Sequence, residues 1–283
     1  MGQWMVRIGE SMLKSRPVRK QFTKVLIQTL TAQCRLRGAT IVVRAEGGLL
    51  FVSGENDEQI VDALKHTFGV NAVDPYIEMD ADPDMVAKAA LERNPKPSGT
   101  FAVQCRRHGE KGKWTSQSFA STVGAKVLER VDLKVNLGNP DWAIRVALFP
   151  DKVHLLGTRF MGPGGLPSGV QGLVLANLES DEDILSAWLM MHRGCRIKPA
   201  KGSVESLQQW DPALASEKYA KHLVTGPGGR HDAEPWGIVA HHLPDAPTTV
   251  DAEENVRTPL VHLEPLVGWS ESDIDELKSK VLC

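Results

Sequence analysis

Thr40-Ile-Val-Val-Arg44 and Leu49-Leu-Phe-Val-Ser53 are two short runs rich in β-branched and apolar residues, separated by Glu46-Gly47-Gly48. Adjacent glycines supply the left-handed backbone angles that a tight hairpin turn needs, so the two runs are expected to form a hairpin. Upstream, Pro17–Arg37 places Val18, Phe22, Val25, Leu26, Thr29 and Leu30 on one stripe at helical spacing, and Gly38 provides the stop. Gln3–Ile8 precedes it as a short strand. Downstream, Asn56 or Asp57 is expected to cap a helix reaching Phe68, with Ile60, Val61, Leu64 and Phe68 inward. Gly69 closes it, and Val70–Ile77 is the last strand. Strand, helix, two strands, helix and strand form the ferredoxin-like split β-α-β order.

Beyond residue 78 the pattern repeats neither in period nor in composition. Asp82–Arg93 reads as a short acid-capped helix, and Asn94-Pro-Lys-Pro-Ser-Gly99 as a linker. Thr100–Arg106 alternates as a strand, Ser116–Arg130 has a helical stripe, and Trp142–Phe149 with Lys152–Thr158 makes a hairpin around Pro150-Asp151. A glycine-rich loop, Gly162–Gly169, follows. The last part reads as α/β. Strands are expected at Leu173–Asn177, Cys195–Lys198, Trp236–Ala240 and Pro259–Leu263, and helices at Asp181–His192 and Ser270–Val281. Val204–His222 holds helical stretches interrupted by Pro212, and Thr225–His231 and Asp245–Asn255 are expected loops.

The chain has 283 residues, enough for two or three domains, and a globular composition with 42% hydrophobic and 24% charged residues. Its net charge of −2 conceals a polarity: residues 1–44 carry nine Lys/Arg against Glu10 alone, and residues 178–283 carry ten against eighteen Asp/Glu. A basic start beside an acidic end suits a polyanion docking at one end; the plain alternative is solvated surface. No apolar run is long enough to span a membrane and no signal-peptide layout opens the chain, so no membrane partner and a cytoplasmic location are expected. Cys34, Cys105, Cys195 and Cys283 form no CxxC pair, which fits reduced thiols better than disulfides or zinc. His241-His242 and His262 have no ligand spacing, and no metal site is expected.

Several segments, in order, resemble the tRNA 4-thiouridine synthetase family, the thiamine-biosynthesis-type sulfurtransferases. These are Gly9-Glu10-Ser-Met-Leu13-Lys14 with Arg19 and Phe22, Phe68-Gly69-Val70, and Thr100-Phe101-Ala-Val103-Gln-Cys-Arg106-Arg107. Val131-Asp132-Leu133, Asn139-Pro140-Asp141 and Gly164-Gly165-Leu166-Pro167-Ser-Gly169 continue the series. Met190-Met191-His-Arg193-Gly194 and Pro265-Leu266-Val267-Gly268 complete it. The resemblance implies a ferredoxin-like domain over 1–79, an α/β THUMP domain over 80–170, and a shortened, doubly wound parallel-sheet domain over 171–283. It also implies that the first two domains hold tRNA, that the third adenylates a uridine before sulfur transfer, and that a homodimer can form through the third.

The third domain departs from the family at the phosphate cradle. Where active members carry Ser-Gly-Gly-x-Asp-Ser, this chain has Leu178, Glu179, Ser180, Asp181, Glu182 and Asp183. Glycines there let backbone N–H groups close on pyrophosphate at a helix start, whereas four carboxylates repel it and suit helix capping instead. The family's downstream cysteine is also missing, since 197–282 contains none, and Cys195 reads as a small buried hydrophobe. The expectation is therefore a non-catalytic tRNA-binding protein with no cofactor, working beside a separate tRNA-modifying enzyme. The alternative is an active sulfurtransferase in which Mg²⁺ bridges these acids to ATP.

Candidate RNA contacts fall in two groups. Lys14, Arg16, Arg19 and Lys20 lie at the start of the first helix, and Arg106, Arg107, His108, Lys111 and Lys113 lie on the strand end and loop of the THUMP-like segment. Trp114 is either a base-stacking platform or a core residue. Gly164 and Gly165, with Arg159 nearby, form either an RNA-facing loop or a domain joint. A second glycine-rich loop, Gly226–His231 with Arg230, reads as surface.

Overall fold

A computed structural model describes residues 1–9, 14–243 and 260–282. Residues 10–13 of the Gly9–Lys14 segment, the expected loop Asp245–Asn255, Pro259 and Cys283 lie outside the described residues.

The first unit comprises β1 (Gly2–Ile8), α1 (Arg16–Leu36), β2 (Ile41–Glu46), β3 (Leu49–Gly54), α2 (Asp57–Lys65) and β4 (Val70–Asp80). Its strands lie in the order β2-β3-β1-β4, all antiparallel, as a ferredoxin-like sheet requires. Gly47 and Gly48 both have positive φ, 57° and 81°, and so close the β2–β3 hairpin with a two-residue loop. The apolar stripe of α1 buries Leu26 and Leu30 against Trp4, Val6, Leu50 and Val52. Asn56 does precede α2, but in a left-handed conformation (φ 67°) and without capping it. Its amide instead donates to the Gly38 carbonyl, tying the end of α1 to the start of α2. The second helix stops at Lys65, three residues before the expected end, and Phe68 leaves this domain's core for that of the third.

The last strand is longer than its sequence suggests. The first half of β4 pairs with β1, and its second half, Tyr76–Asp80, pairs with β8 (Lys152–Leu156). One nine-stranded sheet therefore runs through both amino-terminal units, continuing β4-β8-β7-β5-β6. The added elements are α3 (Pro83–Arg93), β5 (Thr100–Arg107), α4 (Ser116–Leu128), β6 (Lys134–Val135) and β7 (Trp142–Leu148). Both helices have side-chain caps, Asp82 on α3 and a Thr115–Ser118 capping box on α4. They bury Val86, Phe119, Val123 and Val127 against Phe101, Ile144, Val146 and Leu155. After β8 the chain keeps running along β4: Gly157 N donates to Pro75 O, and after a one-residue shift in register a two-residue strand β9 (Phe160–Met161) pairs with Val73 and Ala72 of β4.

The third unit is a four-stranded parallel sheet ordered β11-β10-β12-β13, formed by Arg196–Gly202, Leu173–Leu178, Pro235–Val239 and Val261–Leu263. The chain moves outward from β10 to β11, then jumps to the other side of β10 for β12, which is the winding reversal of a doubly wound sheet. The sheet packs with α5 (Asp181–His192) and α8 (Glu271–Val281) into one core. Two short helices, α6 (Pro212–Ala215) and α7 (Glu217–His222), lie between β11 and β12, and Pro212 opens α6 in its first turn.

Three features seat this unit on the first. Phe68 enters the third core, stacked on Trp210 at 5.6 Å and edge-on to Trp188 at 5.3 Å. Buried Arg196 pairs with buried Asp211 and also donates to Val224 O (2.6 Å) and Thr29 Oγ1 of α1 (3.4 Å). The glycine-rich loop Gly162–Gly169 is the joint: Gly69 N donates to Gly164 O, Gly164 N to Val70 O, Leu166 N to His192 O, and Gly169 N to Gly194 O.

Candidate nucleic-acid interface

The helix-free face of the long sheet carries the densest group of cations. Strand alternation puts Arg7 on the same side of β1 as Met5, opposite the helices. Asp74 of β4, Arg145 of β7 and Arg106 of β5 share that side, and Arg159 reaches it from the segment between β8 and β9. Arg7, Gln104, Arg106, Arg145 and Arg159 line one groove, so its walls come from the ferredoxin-like unit and the unit after it. A second groove, lined by Arg93, Asn94, Trp142 and Thr158, shares Arg145 and Arg159 with the first.

Asp74 is the only carboxylate bonded to these arginines among the described residues, and it is fully buried. Arg159 grips it bidentately, Nε to Oδ1 and Nη2 to Oδ2, both at 2.9 Å. Arg145 Nη2 also donates to Oδ1, and its Nη1 donates to Gly157 O at 3.1 Å. Arg7 Nε lies 3.4 Å from Oδ2. Burial alone would raise the Asp74 pKa, but the bonds from Arg159 and Arg145 outweigh it and hold the carboxyl below its ordinary value. Three guanidinium ions on one carboxylate leave the groove net positive.

On the same helix-free face, Met5, Phe51, Tyr76, Ala147 and Phe149 pack the two units together. Buried His154 stacks on Tyr76 at 4.1 Å and bonds Glu78 at 3.0 Å, and burial pushes its pKa down to about 4. His108 stacks on Phe149, and its Nε2 is buried without a partner. Its pKa is lowered by burial and by the nearby Arg7 and Arg106.

The residues expected from sequence to contact RNA distribute as follows. Arg106 reaches the groove, and Arg159 does so through Asp74. Arg107 and Lys111 are exposed nearby in sequence. Lys113 sits over the Trp114 ring at 5.4 Å, while Trp114 rests edge-on against core Phe119 at 5.5 Å, which is the packing role. Arg16, Arg19 and Lys20 line a separate groove with Gly47 and Gly48 of the hairpin turn, and Lys14 is exposed beside them in sequence. Gly164 and Gly165 serve the domain joint. The Gly164 N–H is bonded to Val70, and a Cβ on Gly165 would stand 2.2 Å from His192 O, so this backbone faces protein. Arg7 and Arg145 were not singled out by sequence. The signal that marks them is a charge in mid-strand among apolar neighbours, where charged residues are otherwise depleted.

In the third unit, residues 178–183 run from the carboxyl end of central β10 into α5, beside the switch point where such sheets hold ligands. Ser180 Oγ accepts from Asp183 N at 3.1 Å, and Ser180 N donates to Asp183 Oδ2 at 3.2 Å, a reciprocal capping box. Asp183 Oδ1 accepts from His241 N at the end of β12, at 2.7 Å. Asp181 pairs with Lys278 of α8, Leu178 is buried, and Glu179 is exposed. Burial pushes the thiols of Cys34 and Cys195 up to about 12 and that of Cys105 to about 11, so all three are held protonated at neutral pH.

Residues 83–156, from α3 through β8, match the THUMP domain family. Residues 3–73 match the ThiI ferredoxin-like domain, and this pairing of domains is that of the ThiI-type family. It is 30% identical over 202 residues to a probable tRNA sulfurtransferase of Methanothermobacter thermautotrophicus, covering 68% of this chain and 50% of that protein. A second such relative, from Methanobrevibacter smithii, is 31% identical over 202 residues, covering 68% and 51%. The chain thus spans about half the length of the curated relatives it matches. Among solved structures, PH1313 of Pyrococcus horikoshii superposes with a TM-score of 0.76 at 20% identity, covering 99% of both chains. A 4-thiouridine synthetase solved with RNA and ATP gives 0.71 at 21% identity, covering 99% of this chain and 85% of that one. These two establish the fold.

Proposed function

We propose that this protein binds tRNA across the helix-free face of its ferredoxin-like and THUMP sheet and serves tRNA modification as a non-catalytic adaptor for a separate enzyme. The observation that carries the reading is the convergence of Arg7, Arg106, Arg145 and Arg159, from both units, on one groove. Guanidinium groups suit phosphate because their planar N–H forks bond two oxygens at once. A groove built from two units also fixes the register of an RNA strand on the protein.

The adaptor role is supported by the start of α5. Carboxylates of Asp181 and Asp183 are committed there to Lys278, Ser180 and the His241 N–H. Those residues do not fit a triphosphate, which needs free N–H groups and glycine at closest approach. Burial also keeps the Cys34, Cys105 and Cys195 thiols protonated, which fits a binding role better than thiolate chemistry at these three positions. The name of the curated relatives, probable tRNA sulfurtransferase, favours a second reading, tRNA sulfur transfer.

The test joins a tRNA gel-shift at several salt concentrations to calorimetric titration with Mg-ATP. Arg106→Ala with Arg107→Ala is expected to weaken tRNA binding and flatten its dependence on salt. A shift with no heat from ATP supports the adaptor. Micromolar ATP binding restores the enzyme, and affinity unchanged by the double variant at every salt concentration removes the THUMP strand from the interface.

A further inference from the structure

Asp74 is an acid in a site that should reject acids. A buried carboxylate beneath a phosphate-binding groove lowers the groove's positive potential, so on charge alone its presence weakens RNA binding. The geometry explains what it offers in return. Four guanidinium ions gathered in one groove repel one another, and long side chains without partners sample many rotamers. Asp74 sits on β4, the strand common to both units, and reaches arginines from either side: Arg7 on β1, and Arg145 and Arg159 beyond β8. It fixes Arg159 by two bonds of 2.9 Å and Arg145 by one, while Gly157 O holds Arg145 from the other side. Arg7 Nε stays buried without a hydrogen-bond partner, and no carboxylate is paired with Arg106 among the described residues. The cluster is thus braced from below, with donor capacity left over.

We propose that Asp74 is the positioning residue of this groove: it touches no RNA itself but orders guanidinium groups of both units into one preformed phosphate site. The inference rests on the RNA-binding role proposed above. Preformed donors bind an anion without losing rotamer freedom at that moment, which is where a brace gains affinity.

The test exploits opposite signs. Asp74→Asn keeps the shape and adds one net positive charge to the groove. Simple electrostatics then expects tighter tRNA binding, whereas positioning expects binding weaker by about tenfold, since Asn cannot hold a guanidinium fork. Glu110→Gln, an exposed acid in the loop after β5, is the control and is expected to bind as well as wild type or better. Asp74→Asn binding as tightly as wild type overturns the proposal. If that variant does not fold, as judged by circular dichroism, Asp74→Glu decides. It keeps the charge but displaces the carboxylate by one methylene, so weaker binding supports the brace and equal binding refutes it. A wild-type chain that shifts no tRNA sinks the RNA reading alone. The brace is then read with inorganic phosphate, which should raise the melting temperature of wild type but not of Asp74→Asn; equal shifts would overturn it.

Discussion

Replacing Arg196 by methionine should strongly destabilise the third unit. Arg196 is 2% exposed and its partner Asp211 is 0% exposed, so neither charge has water to fall back on. Methionine removes the ion pair and the bonds to Val224 O and Thr29 Oγ1, leaving Asp211 with one N–H, that of Ala213 at 2.9 Å. Breaking one side of a buried pair costs about 3–5 kcal/mol, most of it from the stranded charge. At a urea slope of about 2–3 kcal/mol per molar, the midpoint should fall by about 1–2 M. Trp188 and Trp210 lie in the affected core, so intrinsic fluorescence reports the transition. Arg196→Met with Asp211→Ser supplies the critical comparison. Serine still caps α6 but carries no charge, so the double variant should recover much of the loss. A double variant no more stable than Arg196→Met alone would show that the stranded charge is not the source of the destabilisation.

Two further predictions concern stability. The His154 pKa is held to about 4, against about 6.5 for a free histidine, so from pH 6.5 down to 4 the unfolded chain takes a proton that the folded chain refuses. Stability should therefore fall as pH drops through that window, by up to about 3 kcal/mol from this group. Urea midpoints at pH 7 and 4.5 should differ less for His154→Gln than for wild type, and equal differences would refute the assignment. Gly165→Ala should cost more than Gly47→Ala in a thermal melt. Both glycines have positive φ, 70° and 57°, which costs alanine about 1–2 kcal/mol, but only the Gly165 methyl meets backbone, at 2.2 Å from His192 O. Equal melting temperatures for the two variants would remove the joint from the account.

The order of elements was legible because each carries its own local signal. The Gly47-Gly48 turn, the α1 stripe ended by Gly38, and the acids opening α5 fix hairpin, helix and cap without reference to anything distant. Lys14, Arg16, Arg19, Lys20 and Arg106 were likewise visible as charge in the sequence. What stayed hidden depends on contacts between residues far apart along the chain. Phe68 reads as the last inward residue of a helix, yet its partners are Trp188 and Trp210 in another unit. Gly164 and Gly165 read equally as an RNA-facing loop or a domain joint, and only the contacts with Val70 and His192 show the joint.

By itself the sequence determined the ferredoxin-like order, the run of strands and helices after it and the acids that open α5, while the THUMP unit and the parallel third sheet were what the family resemblance implied. Hydrophobic period, turn chemistry and capping are local properties, readable within a few residues. Only the tertiary structure decided that β4 spans both amino-terminal units and that Arg7, Asp74, Arg106, Arg145 and Arg159 meet in one place. Strand pairing across more than sixty-five residues brings Arg7 to Asp74, and the run of β8 and β9 along β4 brings Arg159 to the same carboxylate. No local pattern encodes either approach.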